Sequence, residues 1–203
     1  MKTFNSAGTE RGSGGGGSPT VVTDDFVLEK ELFAGTLSGT TSALDFDPVD
    51  GSYDDLVIRV WGRSDRSNIS DNMTMRFNAD AGSTNYKCLY QALDDATPFQ
   101  GAFDGFDLGS VLTAANSTAD SYGFTEIIIP QYAGSDRKLA YSVGMRRQAD
   151  ANQMSLYLTH LSWENTSPIT RVVLLSGTGS NFVSGMRYQV LGRKVTTVVT
   201  SVT

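Results

Sequence analysis

One cysteine, one histidine and five prolines among 203 residues leave several chemistries without their usual parts. Cys88 alone cannot close an intramolecular disulfide, which excludes a disulfide scaffold and suits synthesis in a reducing compartment. His160 and Cys88 together cannot supply the nitrogen and sulfur ligand set of a zinc site. No apolar run approaches the roughly 20 residues of a membrane-spanning helix, and Met1 to Ser6 lacks the apolar core of a secretion signal. The chain therefore reads as soluble, without a membrane partner and not exported by that route. Long-chain helix formers are sparse as well. Abundant instead are glycine, at 21 residues, and serine with threonine, at 43, nearly a third of the chain between them. Such a composition favours strands and turns, in a length suited to one sizeable core.

The formal charge of −6 is uneven: residues 1–110 hold 17 acids and 8 bases, residues 111–203 hold 5 acids and 8 bases. An acidic chain with scattered bases gains little from releasing counterions on a phosphate backbone, so direct nucleic-acid binding is not expected.

Residues 1–19 contain the run Gly12 to Pro19, which buries too little apolar surface to offset its ordering entropy and reads as a flexible Gly/Ser-rich N-terminal arm. Lys2, Phe4 and Arg11 within it are candidate assembly contacts. From Thr20 the period is two. Leu56, Ile58 and Val60 alternate with Val57, Arg59 and Trp61, and Met73, Met75 and Phe77 alternate with Thr74 and Arg76. Further strands are predicted at 26–33, 42–46, 86–92, 124–129, 138–145, 154–163, 169–176 and 186–202, the last with a break at Gly192. Turn clusters fall at 47–53, 78–85, 100–109, 134–136 and 177–181. About ten strands so spaced predict an all-β antiparallel β-sandwich, jelly-roll-like, over residues 20–192. Residues 193–203 form a Val/Thr-rich C-terminal strand or tail, in which Val195, Val198 and Val199 are candidate assembly contacts through strand addition. One helical turn at most is expected, within 109–118.

Catalytic groups are hard to assemble from this chain. His160 shares the parity of Met154, Leu156 and Leu158 and reads as a partly buried structural histidine. Cys88 reads as a small core residue. Asp45, Asp47, Asp50 and Asp54 supply oxygen ligands, but Val49 and Asp50 stand where an EF-hand needs oxygen and glycine, so a solvated turn is favoured over a calcium loop. Asp104 to Asp107 reads the same way. No catalytic residue, metal ligand or cofactor site is assigned, and no enzyme activity is expected. Exposed members of the 20 aromatic residues could offer a carbohydrate-stacking platform.

An ordered set of short motifs carries a resemblance. Tyr53-Asp54-Asp55-Leu56, Gly62 to Asp65, Arg76 to Asp80 with Asn85-Tyr86, Ile129 to Ala133, Trp163 with Ser167 to Thr170, and Asn181-Phe182 before Gly185-Met186-Arg187 resemble β-sandwich accessory virion proteins of tailed bacteriophages. These occur as capsid decoration proteins and as head- or tail-fibre modules. The similarity runs from Tyr53 to Gly192; Val190-Leu191-Gly192 stands where the family often has Leu-Tyr-Gly, and this chain continues to Thr203. The resemblance implies a structural virion protein made in the bacterial cytoplasm, a cement protein on the outer capsid surface. Its implied partners are the major capsid protein and copies of itself in a homotrimer. The alternative is a receptor- or glycan-binding fibre module, with a sugar site on loops such as 100–109 lined by aromatic, Asp and Asn side chains.

Overall fold

The computed structural model describes residues 21–94, 97–109, 111–147 and 154–201. Two compact units divide the chain: residues 27–195, and residues 1–26 with 196–203. In the smaller unit the described residues are the outer lengths of two strands. The arm, with Lys2, Phe4 and Arg11, lies outside the described residues.

Thirteen strands follow in order: β1 (Val21–Thr36), β2 (Ala43–Phe46), β3 (Asp55–Gly62), β4 (Ser70–Asp71), β5 (Met73–Phe77), β6 (Tyr86–Asp94), β7 (Thr97–Asp104), β8 (Leu112–Thr113), β9 (Gly123–Pro130), β10 (Lys138–Arg147), β11 (Met154–Trp163), β12 (Val172–Ser176) and β13 (Arg187–Ser201). An eight-stranded sheet runs β1-β13-β3-β9-β10-β11-β6-β7, a three-stranded sheet runs β2-β12-β5, and β4 pairs with β8. The assigned ladders are antiparallel. The all-β antiparallel expectation therefore holds. The division into eight, three and two strands differs from the four and four of a regular jelly roll.

Two local expectations are corrected. Residues 97–104, assigned largely to a turn cluster, form β7, because Tyr90, Leu89 and Lys87 of β6 give the segment a ladder to zip onto. The limit of one helical turn within 109–118 is not exceeded: among the described residues there is no helix there, and Leu112 and Thr113 pair with β4. Gly192 does not interrupt β13, since it pairs with Leu56 and its missing side chain admits the Tyr53 ring, which would lie 2.4 Å from a Cβ there. Val195, Val198 and Val199 lie in that continuous strand.

The core lies between the inner face of the large sheet and the smaller sheets. Leu56, Ile58 and Val60 of β3 and Ile127 and Ile129 of β9 meet Phe46, Leu174, Met75 and Phe77 from the facing layer. At one corner Phe77, Tyr86 and Trp163 pack ring to ring at 5.6–6.4 Å between centroids. There the motifs of Sequence analysis converge. Trp163 Nε1 donates to Asp80 Oδ2 at 2.9 Å, Gly82 N–H donates to Asp80 Oδ1 at 2.9 Å, and Asn85 Nδ2 donates to both oxygens. Asn78, at a φ of 50°, accepts at Oδ1 from the Thr170 and Arg171 amides and donates from Nδ2 to the Pro168 carbonyl. Asp65 accepts from the Asn181 amide at 2.8 Å and from its side chain at 2.9 Å. Pieces some 80 to 115 residues apart are thus clamped by carboxylate and carboxamide groups.

Burial pushes the Asp80 carboxyl up, but the hydrogen bonds from Trp163, Gly82 and Asn85 outweigh it and hold the group below its ordinary 3.8. Its contribution to stability is therefore complete above that value and declines as pH falls through the depressed one. Asp80→Ala should cost about 1–3 kcal/mol by leaving the buried Trp163 donor unpaired, read by urea unfolding followed by tryptophan fluorescence. An unchanged midpoint would show that the clamp contributes nothing.

Candidate functional site

Strand alternation gives the large sheet two faces, and on β10 their polarity is inverted. Ala140, Ser142, Gly144 and Arg146 point inward and are buried, while Leu139, Tyr141, Val143 and Met145 point outward and are exposed. The cause lies across the sheet. The segment carrying Val111 and Leu112 comes so close that a Cβ on Gly144 would sit 2.2 Å from Val111 Cγ1, and one on Gly123 would sit 1.9 Å from the Val111 carbonyl oxygen. No side chain fits beneath it at Gly144, the other inward positions take small or flexible residues, Lys138 and Arg146 among them, and the apolar bulk of β10 is turned outward.

On β11 the buried parity is Ser155, Tyr157, Thr159, Leu161 and Trp163. His160, expected to be partly buried, is instead exposed beside Met154 and Leu158. The shared parity is right, but the face is the outer one, because the larger Trp163 and Tyr157 claim the core. Cross-strand registry then aligns these outward side chains over three strands. Met145 lies opposite Leu156 and Leu156 opposite Leu93; Tyr141 lies opposite His160 and His160 opposite Leu89. Leu139 is 60% exposed and Met154 68%. Two open grooves follow this surface, about 560 Å³ beside Leu93, Leu156 and Leu158, and about 500 Å³ beside Leu89, Tyr141 and His160.

On the other half of the outer face the charged side chains are paired within the chain. Arg59 pairs with Glu126 at 2.7 Å, Arg193 with Glu29 at 2.9 Å, and the Arg187 guanidinium lies 5.3 Å from the centre of the Trp61 ring. At the rim of the apolar half, Lys87 pairs with Asp104 at 2.7 Å.

At about 4.8 Å per strand and 3.3 Å per residue, β10, β11 and β6 across the ten residues of β10 cover about 14 by 33 Å, roughly 500 Å² in flat projection. The largest apolar patch of a typical monomer is about 300–600 Å², and one side of a standard protein interface is about 800 Å². A rough surface of this footprint reaches toward that interface size.

The chain matches no family model, no curated protein and no solved structure. Chemistry must be judged from the residues themselves.

Cys88 is buried, its Sγ lies 3.2 Å from the Asp107 carbonyl oxygen, and burial followed by the nearby Asp107 charge pushes the thiol up to about 12. It is a core residue, as expected, and a poor nucleophile. Asp45 and Asp47 turn to Arg171, at 2.5 and 3.7 Å, and Asp50 accepts from the Ser52 amide. Asp54 donates its backbone amide to the Arg193 carbonyl. Among the described residues no group of three or more His, Cys, Asp or Glu side chains is placed to hold a metal.

One cluster was only partly legible in the sequence, which offered loops such as 100–109 as a sugar site under the fibre alternative but not the pairing of Asp107 with Asn72. Asp107, read there as part of a solvated turn, lies beneath the rings of β6 and β7 and is bound by Asn72. A second hint was the Asp-Gly-Phe-Asp spelling after a run of aromatics.

If the outer face carries contacts and no fold energy, Leu139→Ser should shift stability by no more than about 0.5 kcal/mol. Leu161→Ala, its inward neighbour on β11, should cost about 2–5 kcal/mol. Chemical denaturation of both variants checks the contrast; similar losses at the two positions would place Leu139 within the cooperative core.

Proposed function

We propose that the protein is a structural virion component, a decoration or cement protein that binds the outer surface of a tailed-phage capsid and works by association. The single observation that carries this is the apolar half of the outer sheet face, whose neighbouring charges are already paired within the chain. A partner arriving there desolvates leucine, methionine, valine and tyrosine, and strands no unpaired charge. The family resemblance of the motifs supports the same reading and supplies the capsid as the setting.

The occupant of the face is a second copy of this chain. Turned toward a common axis, three such faces cover one another, each contributing to two contacts, which accommodates the homotrimer implied by the resemblance. The arm of residues 1–19, with Lys2, Phe4 and Arg11, is then left to reach the major capsid protein.

The test compares three proteins for solution mass and for cosedimentation with capsid shells assembled from the major capsid protein alone: the full chain, a chain beginning at Thr20, and Leu139→Lys with Leu158→Lys. The full chain should be trimeric and bind saturably. The arm-less chain should stay trimeric and bind weakly, and the double variant should be monomeric. A monomeric full chain that leaves the shells bare, or a double variant that assembles like the full chain, contradicts the proposal.

A further inference from the structure

β7 is the edge of the large sheet and extends beyond its cover, with residues exposed on both faces. On the inner side, the Tyr90 ring meets Phe99 and Phe103 edge to face, with centroids 6.0 and 5.9 Å apart, and Phe99 meets Tyr157 at 5.8 Å. Tyr90 lies opposite Gly101, and a Cβ on that glycine would fall 2.8 Å from the ring, so the ring lies across bare backbone. Gly109, at a φ of +90°, does the same for Tyr157, with 2.6 Å to the ring. Between these rings and Asn72, Asp107 and Gly109 is a hollow of about 210 Å³, the bulk volume of about seven waters.

The polar wall of the hollow is held in place. Asn72 Nδ2 donates to Asp107 Oδ2 at 2.6 Å, and the Gly109 amide donates to Asp107 Oδ1 at 2.7 Å. Behind them the fully buried Asp71 accepts from the Asn72 amide, Ser176 Oγ and Thr178 Oγ1 at 2.7–2.9 Å. Each Asp107 oxygen keeps a second lone pair, so the pair presents fixed acceptors beside an aromatic floor.

We propose that this hollow between Tyr90, Phe103, Tyr157, Asn72 and Asp107 is a saccharide-binding site, taking one pyranose ring with its C–H face on the aromatics and its hydroxyls on the Asn72–Asp107 pair. The size suits a single ring. The ring pairs here stand at 62–78° to one another, so no two of them sandwich a flat nucleobase. A quaternary ammonium would need an open counter-charge, but both Asp107 oxygens already hold N–H donors. Neutral hydroxyls fit this wall better than a cation does. The proposal stands independently of the capsid setting, because the site faces away from the apolar outer half. In a multi-copy protein, weak single sites add through avidity.

The test is saturation-transfer NMR of the full chain with glucose, galactose and N-acetylglucosamine, with choline and adenosine as contrary probes. The variants are Phe103→Ala and Asp107→Asn, whose folding is checked by thermal unfolding. At least one saccharide should show saturable transfer, weakened about tenfold, or about 1.4 kcal/mol, in each folded variant. Transfer to choline or adenosine in place of the sugars overturns the proposal. So does the absence of transfer to any sugar, or sugar binding indifferent to both variants. Should Asp107→Asn fail to fold, Phe103→Ala on the exposed edge decides alone.

Discussion

The structure depends on an unequal pairing of layers: eight strands on one side, and on the other a three-stranded sheet and a two-stranded pair. Hydrophobic burial drives a sheet to cover one face, and the cover here is smaller than what it covers. Where the layers overlap, the core is dense, with Phe77, Tyr86 and Trp163 at its corner and Asp80 clamping it. Beyond the overlap, rings and aliphatic side chains remain in contact with water. The aromatic hollow on the inner side of β7 follows from that shortfall; the apolar outer face of β10, β11 and β6 lies on the far side of the sheet, where the packing beneath it decides what is turned outward.

Close backbone approach sharpens the effect. Because the Val111 segment presses on Gly123 and Gly144, β10 can place only small or flexible residues inward, and its Leu, Tyr, Val and Met go out. A strand with this inversion would be an aggregation hazard in a monomer, unless another copy covers it. The edge of β7, unpaired among the described residues, is less exposed to that hazard, since Pro98 lacks a donor and the Lys87–Asp104 pair charges the rim.

Much of the fold was legible from alternation alone. β3, β5, β10 and β11 fall where period two places them, Pro130 closes β9, and the motif residues prove to be scaffold: Asn78, Asp80 and Asp65 join distant loops by hydrogen bonds. Parity was legible and direction was not. His160, Leu158 and Met154 share a face, but in a strand apolar on both sides only the facing layer decides which side is in. Nor could local pattern show β7, whose Pro98, Gly101 and Gly105 spell turns until β6 offers a ladder. The Asn72–Asp107 pair joins residues 35 apart through tertiary folding, and local spacing carries no trace of it. The arm was read as flexible, and residues 1–19 lie outside the described residues.

The central claim is that the outer apolar half becomes covered between copies while the aromatic hollow stays open. Methionine oxidation reports this directly, because an exposed thioether is oxidised readily and a buried one is shielded. Met145 and Met154 stand on the face in question and Met73 and Met75 in the core. The deciding measurement is peroxide oxidation of each methionine, followed by mass spectrometry at low and high protein concentration. Protection of Met145 and Met154 that rises with concentration, with Met73 and Met75 protected throughout, is the expected result. Oxidation of Met145 and Met154 at one fast rate at every concentration would contradict the account.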